Sequence, residues 1–182
     1  KNNNGTWEKV GDDIDGEAAL DQSGNSVSLS SDGSVVAIGA FYNDDNGNES
    51  GHVRIYKNNN GTWEKVGDDI DGEAANDYSG WSVSLSSDGS VVAIGTPNND
   101  GNGNSSGHVR IYENIDGNWS KIGDDIDGEA AEDYSGNSVS LSSDGTVVAI
   151  GAYENDDNGR GSGHVRIYQN NNGTWEKVGD DI

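Results

Sequence analysis

The sequence repeats itself at a fixed interval of 56 residues. The hexapeptide GHVRIY occurs three times with this spacing, and so does the octapeptide SVSLSSDG. Tryptophan follows the same interval, at Trp7, Trp63, Trp119 and Trp175. Three periods account for 168 residues, and the other 14 are a partial copy, since the segment Asn2–Ile14 recurs at Asn170–Ile182. A chain built in this way must form the same unit three times, so strands and sites have to be assigned per repeat.

Each repeat contains four short segments with the character of a β-strand. In the first repeat, Ser26–Ser30 alternates apolar and small polar residues, which is the period of a strand. Val35–Ala40 is a continuous apolar run, as expected for a strand buried on both faces. The tripeptide SDG between them favours a tight turn. His52–Tyr56 alternates again and is rich in β-forming residues, and Thr62–Val66 follows after an Asn-rich turn.

Four short strands in every repeat are typical of β-propeller blades. We therefore predict an all-β fold of three 56-residue, four-stranded antiparallel blades, with an extra outer strand of a preceding blade in residues 1–14. The predicted blades span residues 15–70, 71–126 and 127–182. A β-sandwich would not repeat its sequence in this way, and a β-solenoid would have shorter coils. The serine-rich strand is expected at the crowded inner end of each blade, and the tryptophan-bearing strand at the outer rim.

The charge balance disfavours several classes of partner. Ten basic residues against 33 acidic ones give a formal net charge of −23, which opposes binding to the phosphate backbone of a nucleic acid. No apolar run approaches the ~20 residues of a membrane-spanning helix. The chain has no cysteine, so no disulfide framework is expected. It opens at Lys1 in the middle of the repeat pattern, so we expect it to be a piece of a longer chain.

The repeat also resembles a known family. Tyr78-Ser79-Gly80 and Gly95-Thr96-Pro97 stand where the FG-GAP repeat has Phe-Gly and Gly-Ala-Pro. Gly107–Tyr112 corresponds to the closing Gly-x-Val-x-Val-Tyr strand of that family. The resemblance covers all three repeats, although two of them lack the proline and all replace the phenylalanine. FG-GAP repeats form the blades of integrin α-subunit propellers and of many bacterial and algal surface proteins. The resemblance therefore implies a propeller, an extracellular or cell-surface setting and, often, calcium in blade loops.

The integrin calcium loop does not carry over, because the connection between the first two strands is only SSDG, too short to wrap a cation. Two acidic loops per repeat are alternative calcium sites, since Asp and Asn around a glycine turn supply the oxygen ligands that calcium prefers. The first loop offers Asn43, Asp44, Asp45, Asn46, Asn99, Asp100, Asn102, Asn155, Asp156, Asp157 and Asn158. The second offers Asp69, Asp71, Glu73, Asp77, Asp125, Asp127, Glu129 and Asp133, with an earlier copy at Asp13, Asp15, Glu17 and Asp21. The alternative is that these residues only form turns and Asx hydrogen bonds.

No set of residues predicts catalysis. The carboxylates could be read as a glycosidase pair, but they recur in every repeat, whereas a catalytic pair needs one asymmetric pocket. The main residues that break the repeat are Leu20, Trp81, Pro97 and Arg160, and they contain no nucleophile with its base. We therefore predict that the chain is not an enzyme and has no catalytic residues.

The histidine and arginine of GHVRIY occur once in every repeat, so they do not form a single site of the whole chain. A shared metal site of His52, His108 and His164 would require three blades to converge on a central ring. We instead expect each histidine to be a structural strand residue, hydrogen-bonded to a neighbouring blade. Arg54 is one of the few cations in a very acidic chain, so we expect it to pair with a carboxylate of the same or the next blade.

The outer strand carries two further candidate roles. Its tryptophans can stack on glycans, as in propeller lectins, or can cover the seam between blades. The residues concerned are Trp63, Trp119 and Trp175. Sequons for N-glycosylation, which apply if the source is eukaryotic, stand at Asn4, Asn48, Asn60, Asn104, Asn118 and Asn172.

Three blades do not close a propeller, which needs four to eight. We therefore expect self-association through open edges. Two chains could close a six-bladed ring, the arc could belong to a longer parent chain, or head-to-tail contacts could build a filament. The predicted function is that of an extracellular structural or adhesive repeat protein, with a glycan or a protein as ligand. The alternative is a glycan-binding, lectin-like propeller.

Overall fold

The computed structural model describes all 182 residues and contains 16 β-strands and no helix. A small N-terminal hairpin consists of β1 (Asn2–Asn3) and β2 (Thr6–Trp7). The first blade contains β3 (Ser26–Leu29), β4 (Val35–Ala40), β5 (His52–Asn59), β6 (Thr62–Lys65) and β7 (Ile70–Asp71). The second contains β8 (Ser82–Leu85), β9 (Val91–Thr96), β10 (His108–Ile115), β11 (Asn118–Lys121) and β12 (Ile126–Asp127). The third contains β13 (Ser138–Leu141), β14 (Val147–Ala152), β15 (His164–Asn171) and β16 (Thr174–Lys177).

Each blade is an antiparallel meander in which a strand pairs with the next one along the chain. In the first blade, β4 pairs with β3 on one side and with β5 on the other, and β6 pairs with the second half of β5. The predicted fold class is confirmed: the three repeats form four-stranded propeller blades, preceded by the extra outer hairpin. None of the elements is a helix with the length and apolar character needed to cross a membrane.

The outer strand of each of the first two blades is divided in two, a feature that no local sequence pattern predicts. In the first blade the chain leaves β6, bulges outward over residues 66–69, and returns as β7 to pair with His52 and Val53. β12 repeats this arrangement in the second blade. In the third blade Ile182 takes the same place, exchanging two backbone hydrogen bonds of 3.0 Å with Val165. This fold-back brings the acidic segment before β7 to the histidine end of β5.

The hydrophobic core lies between the blades. Because side chains alternate along a strand, Val91 and Ala93 pack toward the third blade, whereas Val92 and Ile94 pack toward the first. The cluster between the first and second blades contains Val35, Ala37, Val53, Ile55, Ile70, Leu85, Val92 and Ile94. The cluster between the second and third contains Val91, Ala93, Val109, Ile111, Ile126, Val148 and Ile150. A blade must therefore have a neighbour on both faces to bury all of its apolar side chains.

Backbones approach closely where two blades meet. At Gly39 in β4, a Cβ atom would lie 2.0 Å from the carbonyl oxygen of Gly80 in the next repeat. Ser26 Oγ donates a 2.6 Å hydrogen bond to the same oxygen, and Ser28 Oγ accepts one of 2.9 Å from the amide of Leu85. The same contacts join the second and third blades. The serines of the first strand are thus explained, because their hydroxyl groups link adjacent blades.

Candidate metal centre

Each blade brings one histidine together with carboxylates from separate segments. In the first blade, Glu17 comes from the linker before β3, Asp45 from the β4–β5 loop, Asp69 from the fold-back before β7, and His52 from the start of β5. One ligand atom of each residue lies within 4.8 Å of every other. The third blade repeats the cluster with Glu129, Asp157, His164 and Asp181, and the second has the smaller set Glu73, His108 and Asp125. These clusters of acidic residues and histidine can hold a metal ion.

The imidazole at the centre of the first cluster is buried and unpaired. His52 is 0% exposed, and neither ring nitrogen has a hydrogen-bond partner. Its Nδ1 lies 3.9 Å from both Glu17 Oε2 and Asp45 Oδ2, beyond hydrogen-bonding distance. The expectation that this histidine would be hydrogen-bonded to a neighbouring blade is therefore wrong, as it is for His164. Strand pairing holds the backbone, while the side chain faces carboxylates of its own repeat.

The protonation state of His108 suits metal ligation. Burial, reinforced by the charge of Arg110, lowers the pKa of His108 to about 4. The nearby carboxylate of Asp125 acts in the opposite direction but does not outweigh burial. The ring is therefore neutral at pH 7, and one nitrogen carries a free lone pair. A neutral imidazole is the form that ligates metal ions.

Basic side chains hold the carboxylates from the far side of the cluster. Arg54 Nη1 lies 3.3 Å from Glu17 Oε1, so that Oε2 of the same carboxylate faces the histidine. Lys65 Nζ donates a 2.6 Å hydrogen bond to Asp69 Oδ1. The second and third blades repeat both arrangements. The expected pairing of Arg54 with a carboxylate is confirmed, and it orients a candidate ligand, as outer partners commonly do in metal sites.

The first of the predicted calcium loops is mostly engaged in turns. Asn43 Oδ1 accepts a 2.9 Å hydrogen bond from the amide of Asp45, and its Nδ2 donates to Asp21 Oδ2 at 3.2 Å. Asp44 Oδ1 accepts a 2.7 Å hydrogen bond from the amide of Glu49. Corresponding bonds are formed by Asn99, Asp100, Asn155 and Asp156. These side-chain oxygens accept hydrogen bonds from backbone amides, as the alternative interpretation of turns and Asx hydrogen bonds predicts.

Some of the other residues of this loop form hydrogen bonds with the backbone, and others belong to the histidine clusters. Asn46 Nδ2 donates to the carbonyl oxygen of Gly72 at 2.7 Å, and Asn102 does the same with Gly128 at 2.8 Å. Asn158 is exposed. Asp45 and Asp157 differ from their neighbours, because their carboxylates belong to the histidine clusters.

The second predicted loop is split between two blades. Asp69 faces the histidine of its own blade, and Glu73, four residues later, faces the histidine of the next. Asp77 is buried and accepts a 2.9 Å hydrogen bond from Asn99, and burial raises its pKa. Asp71 lies in β7, and burial also raises its pKa. The equivalents Asp125, Asp127, Glu129 and Asp133 take the same positions one repeat later.

The tryptophans of the outer strands lie at the seams between repeats. Nε1 of Trp63, Trp119 and Trp175 donates to the carbonyl oxygens of Val10, Val66 and Ile122, respectively, at 2.8–3.0 Å. Each indole also borders a cleft, of about 410 Å³ at Trp175 and about 270 Å³ at Trp119 and at Trp63. The clefts also contain a tyrosine and neighbouring aspartates. All six sequon asparagines are exposed.

Known structures share the blade architecture. A candidate 6-phosphogluconolactonase from Bacteroides uniformis has a TM-score of 0.55 at 16% identity, over 86% of this chain and 39% of that one. Sqt1 of Saccharomyces cerevisiae has a TM-score of 0.53 at 14% identity, over 90% of this chain and 36% of its own. The chain thus spans less than half the length of these proteins, and such low identities show the fold alone.

Sequence comparison identifies the repeat. No curated protein matches the chain. A family model described as the FG-GAP repeat matches three segments, residues 14–56, 70–112 and 126–168. Each match begins three residues before the candidate glutamate and ends at the tyrosine of GHVRIY, so it includes both the glutamate and the histidine. Together the matches cover well over half of the sequence, and the chain therefore belongs to the FG-GAP repeat family.

Proposed function

We propose that the chain is an arc of an extracellular, non-enzymatic β-propeller with a structural or adhesive role. Further blades add at its two open faces, either from a longer parent chain or from other copies. The observation that carries this proposal is that the two open faces are complementary, because each repeats the residues of a face that is already covered elsewhere in the chain.

The open face of the first blade presents apolar residues. Val27 and Leu29 are 62% and 60% exposed. In the second blade, the equivalents Val83 and Leu85 pack against the first blade, and Leu85 is only 7% exposed. A preceding blade would bury Val27 and Leu29 in the same way, which would gain about 25 cal/mol for each Å² of apolar surface removed from water.

The open face of the third blade has no following repeat packed against it, whereas the same face of the first and second blades does. Carbonyl oxygens of the following repeat sit against Gly39 and Gly95, whereas a Cβ atom at Gly151 would meet only its own Ser138. Val147 and Ala149 are partly exposed, although the equivalent residues of the other blades are buried. A further repeat of the same sequence fits this face through contacts that the chain already makes twice.

The N-terminal hairpin limits how two copies can meet. β1 and β2 repeat the sequence of the outer hairpin at the C-terminal end of the chain, around β15 and β16. A head-to-tail contact between copies would place both hairpins at one position, so one must be displaced or exchanged. In a longer parent chain the two hairpins would not overlap. In a two-chain ring or a filament they would overlap, unless one hairpin moves.

The extracellular and adhesive parts of the proposal are supported by the family and the surface. FG-GAP repeats are typical of surface proteins. The net charge of −23 and the six exposed sequons suit a solvated outer surface. The polar clusters recur in each blade and contain no nucleophile paired with a base, which supports a binding or structural role over catalysis.

Self-assembly is tested by native mass spectrometry over a concentration series, with Gly151→Ala as the key variant. The added methyl group should occupy the place of the incoming carbonyl and prevent assembly, while leaving the fold intact. Thr174→Ala, exposed on the outer strand of the same blade, is the matched control. Assemblies in the parent and the control but not in Gly151→Ala support the proposal. A 19.1 kDa monomer at all concentrations contradicts assembly between copies.

The repeated clefts support a second candidate, glycan binding. Each combines an indole, a tyrosine and aspartates, which are the side chains that stack on sugar rings and accept hydrogen bonds from hydroxyl groups. A glycan array tests this function, with Tyr112→Ala as the cleft variant and Trp7→Ala, whose indole is 78% exposed, as the control. Binding that Tyr112→Ala does not weaken would exclude the cleft at Trp119 as its site.

A further inference from the structure

We infer that each histidine cluster is a site for a divalent first-row transition metal of the zinc class, and that the first and third blades bind it more tightly than the second. The site draws carboxylates from both acidic loops that the sequence offered for calcium, such as Asp45 and Asp69, and combines them with the histidine. It is formed within one blade by Nδ1 of the histidine and by carboxylates of the preceding linker, the β4–β5 loop and the outer fold-back.

The unpaired imidazole is the first observation that points to a ligand. A buried polar atom without a partner is unfavourable, and His52 and His164 are buried with both ring nitrogens unpartnered. Carboxylate oxygens surround Nδ1 at 3.9 Å, so they face it without forming a hydrogen bond. A cation bound between them would satisfy the nitrogen and would offset the repulsion among the carboxylates.

The distances fit such an ion. Zinc binds histidine nitrogen and carboxylate oxygen at about 2.0–2.2 Å, which places two ligand atoms of a tetrahedral site about 3.4 Å apart. The observed separation of 3.9 Å between His52 Nδ1 and each of two carboxylate oxygens closes to this value with side-chain movements of a few tenths of an ångström. The carboxylates of Glu17 and Asp45 are partly exposed, so an ion has access from solvent.

The ligand set selects the kind of metal. Calcium is held by six to eight oxygen atoms, whereas imidazole favours zinc and its neighbours in the first transition row. Each cluster offers one imidazole nitrogen with two or three carboxylates. Arg54 and Lys65 already bind the outer oxygens of Glu17 and Asp69, which favours one-oxygen coordination by each of these carboxylates over the wide bidentate shell of calcium.

The repeats differ at one candidate ligand, and this difference predicts which sites bind the metal more tightly. Asp45 and Asp157 have Gly101 as their equivalent in the second blade, so that cluster has two carboxylates instead of three. Gly101 does not adopt a positive φ, so an aspartate can take its backbone conformation. The chain therefore contains its own comparison between a four-ligand and a three-ligand site.

The experiment titrates zinc chloride into the EDTA-treated, desalted chain by calorimetry, in 0.15 M salt with excess calcium present. Two tight sites per chain are expected, with a third at least tenfold weaker. Asp45→Gly, which copies the second repeat, should leave one tight site, and Gly101→Asp should create a third. Asp44→Asn is the matched control, because it removes a neighbouring negative charge outside the cluster and should leave two tight sites.

A second readout separates site binding from a diffuse attraction of cations to an acidic surface. The Nδ1 resonances of His52 and His164 should shift on zinc addition in long-range proton–nitrogen NMR spectra. Two tight sites that respond to Asp45→Gly, with shifted imidazole signals, support the assignment. Absence of tight zinc binding, full competition by calcium, unchanged imidazole signals, or two tight sites in Asp45→Gly would each overturn it.

Discussion

Arg54 donates a 2.7 Å hydrogen bond from Nη2 to the carbonyl oxygen of Asp15, 39 residues earlier in the chain. The same bond joins Arg110 to Asp71 and Arg166 to Asp127. In the second and third blades the arginine therefore ties the third strand of its own blade to the last strand of the preceding blade, since Asp71 lies in β7 and Asp127 in β12. In the first repeat Asp15 lies outside any strand, and this bond together with the ion pair between Arg54 and Glu17 holds residues 15–17 against the first blade.

Replacement of this arginine should destabilise the fold. Arg54→Ala removes the hydrogen bond to Asp15 and the ion pair with Glu17, and hydrogen bonds that involve a charged group contribute about 1.5–3 kcal/mol. We expect the free energy of unfolding to fall by roughly 2 kcal/mol, measured by urea denaturation. Lys57→Ala, an exposed cation of the same strand, is the control. Equal losses in both variants would show that only net charge matters.

The glycines of the second strand should tolerate alanine only where no blade follows. At Gly95 a new Cβ atom would lie 2.0 Å from the carbonyl oxygen of Gly136, a backbone atom that cannot move aside locally. Gly95→Ala should therefore destabilise the chain by about 3 kcal/mol, at the upper end of overpacking effects. Gly151→Ala meets only a serine hydroxyl and should have less than a third of this effect. Thermal unfolding of the monomeric chain compares the two, and similar losses would contradict the seam described above.

Replacing an outer-strand tryptophan by phenylalanine should measure the contribution of the hydrogen bond at the seam to stability apart from that of aromatic packing. Trp119→Phe keeps an aromatic ring but removes the 2.8 Å hydrogen bond from Nε1 to the carbonyl oxygen of Val66. We expect a loss of about 1 kcal/mol in the free energy of unfolding, the usual net value of such a bond. Trp7→Phe is the matched control, because Trp7 is exposed and its indole has no hydrogen-bond partner in the chain. Chemical denaturation followed by far-ultraviolet circular dichroism measures both.

The hairpin aspartates should make the fold sensitive to acid. The amide and hydroxyl of Ser34, with the hydroxyl of Ser30, hold the pKa of Asp32 down at about 2, and Thr146 and Ser142 do the same for Asp144. Because these folded-state pKa values lie below the unfolded value of about 3.9, the stabilisation is fully present above pH 4. It is lost as the pH falls toward 2, where the folded carboxylates take up protons.

Asp32→Asn tests this titration. Its free energy of unfolding should depend less on pH between about 4 and 2 than that of the parent chain, as measured by urea unfolding at several pH values. Asp116→Asn, in an exposed hairpin turn, is the control. A parent-like pH slope in Asp32→Asn would show that the turn does not contribute to acid unfolding.

Much of the fold follows from the sequence because each repeat contains strong local signals. The alternation of Ser26–Leu29 and the apolar run Val35–Ala40 correspond to strands within a residue or two. β7 was not predicted, because Ile70–Asp71 is only two residues long and pairs across a bulge. β7 forms only by pairing with β5, and a local sequence pattern does not predict such a tertiary contact.

The candidate site was harder to predict because its residues are distant in the sequence. The glutamate precedes the histidine by 35 residues and the fold-back aspartate follows it by 17 in each of the three repeats, as at Glu17, His52 and Asp69. This constant spacing was a usable signal. Because every residue recurs, however, local patterns group the carboxylates into separate acidic loops and group the three histidines together across blades. Asp181 was missed for the same reason.

The contacts between blades join residues one repeat apart, as in the hydrogen bond from the Ser31 amide to the Ser87 carbonyl and from the Ser87 amide to the Ser143 carbonyl. Such nearest-neighbour coupling gives the chain the folding behaviour of a linear array, in which order begins in one unit and spreads to the next. The end blades each lack one neighbour and should open first, by local fraying. Slow exchange of amide protons should therefore concentrate in the middle blade, and each blade added at an open face would extend that protected region by one repeat.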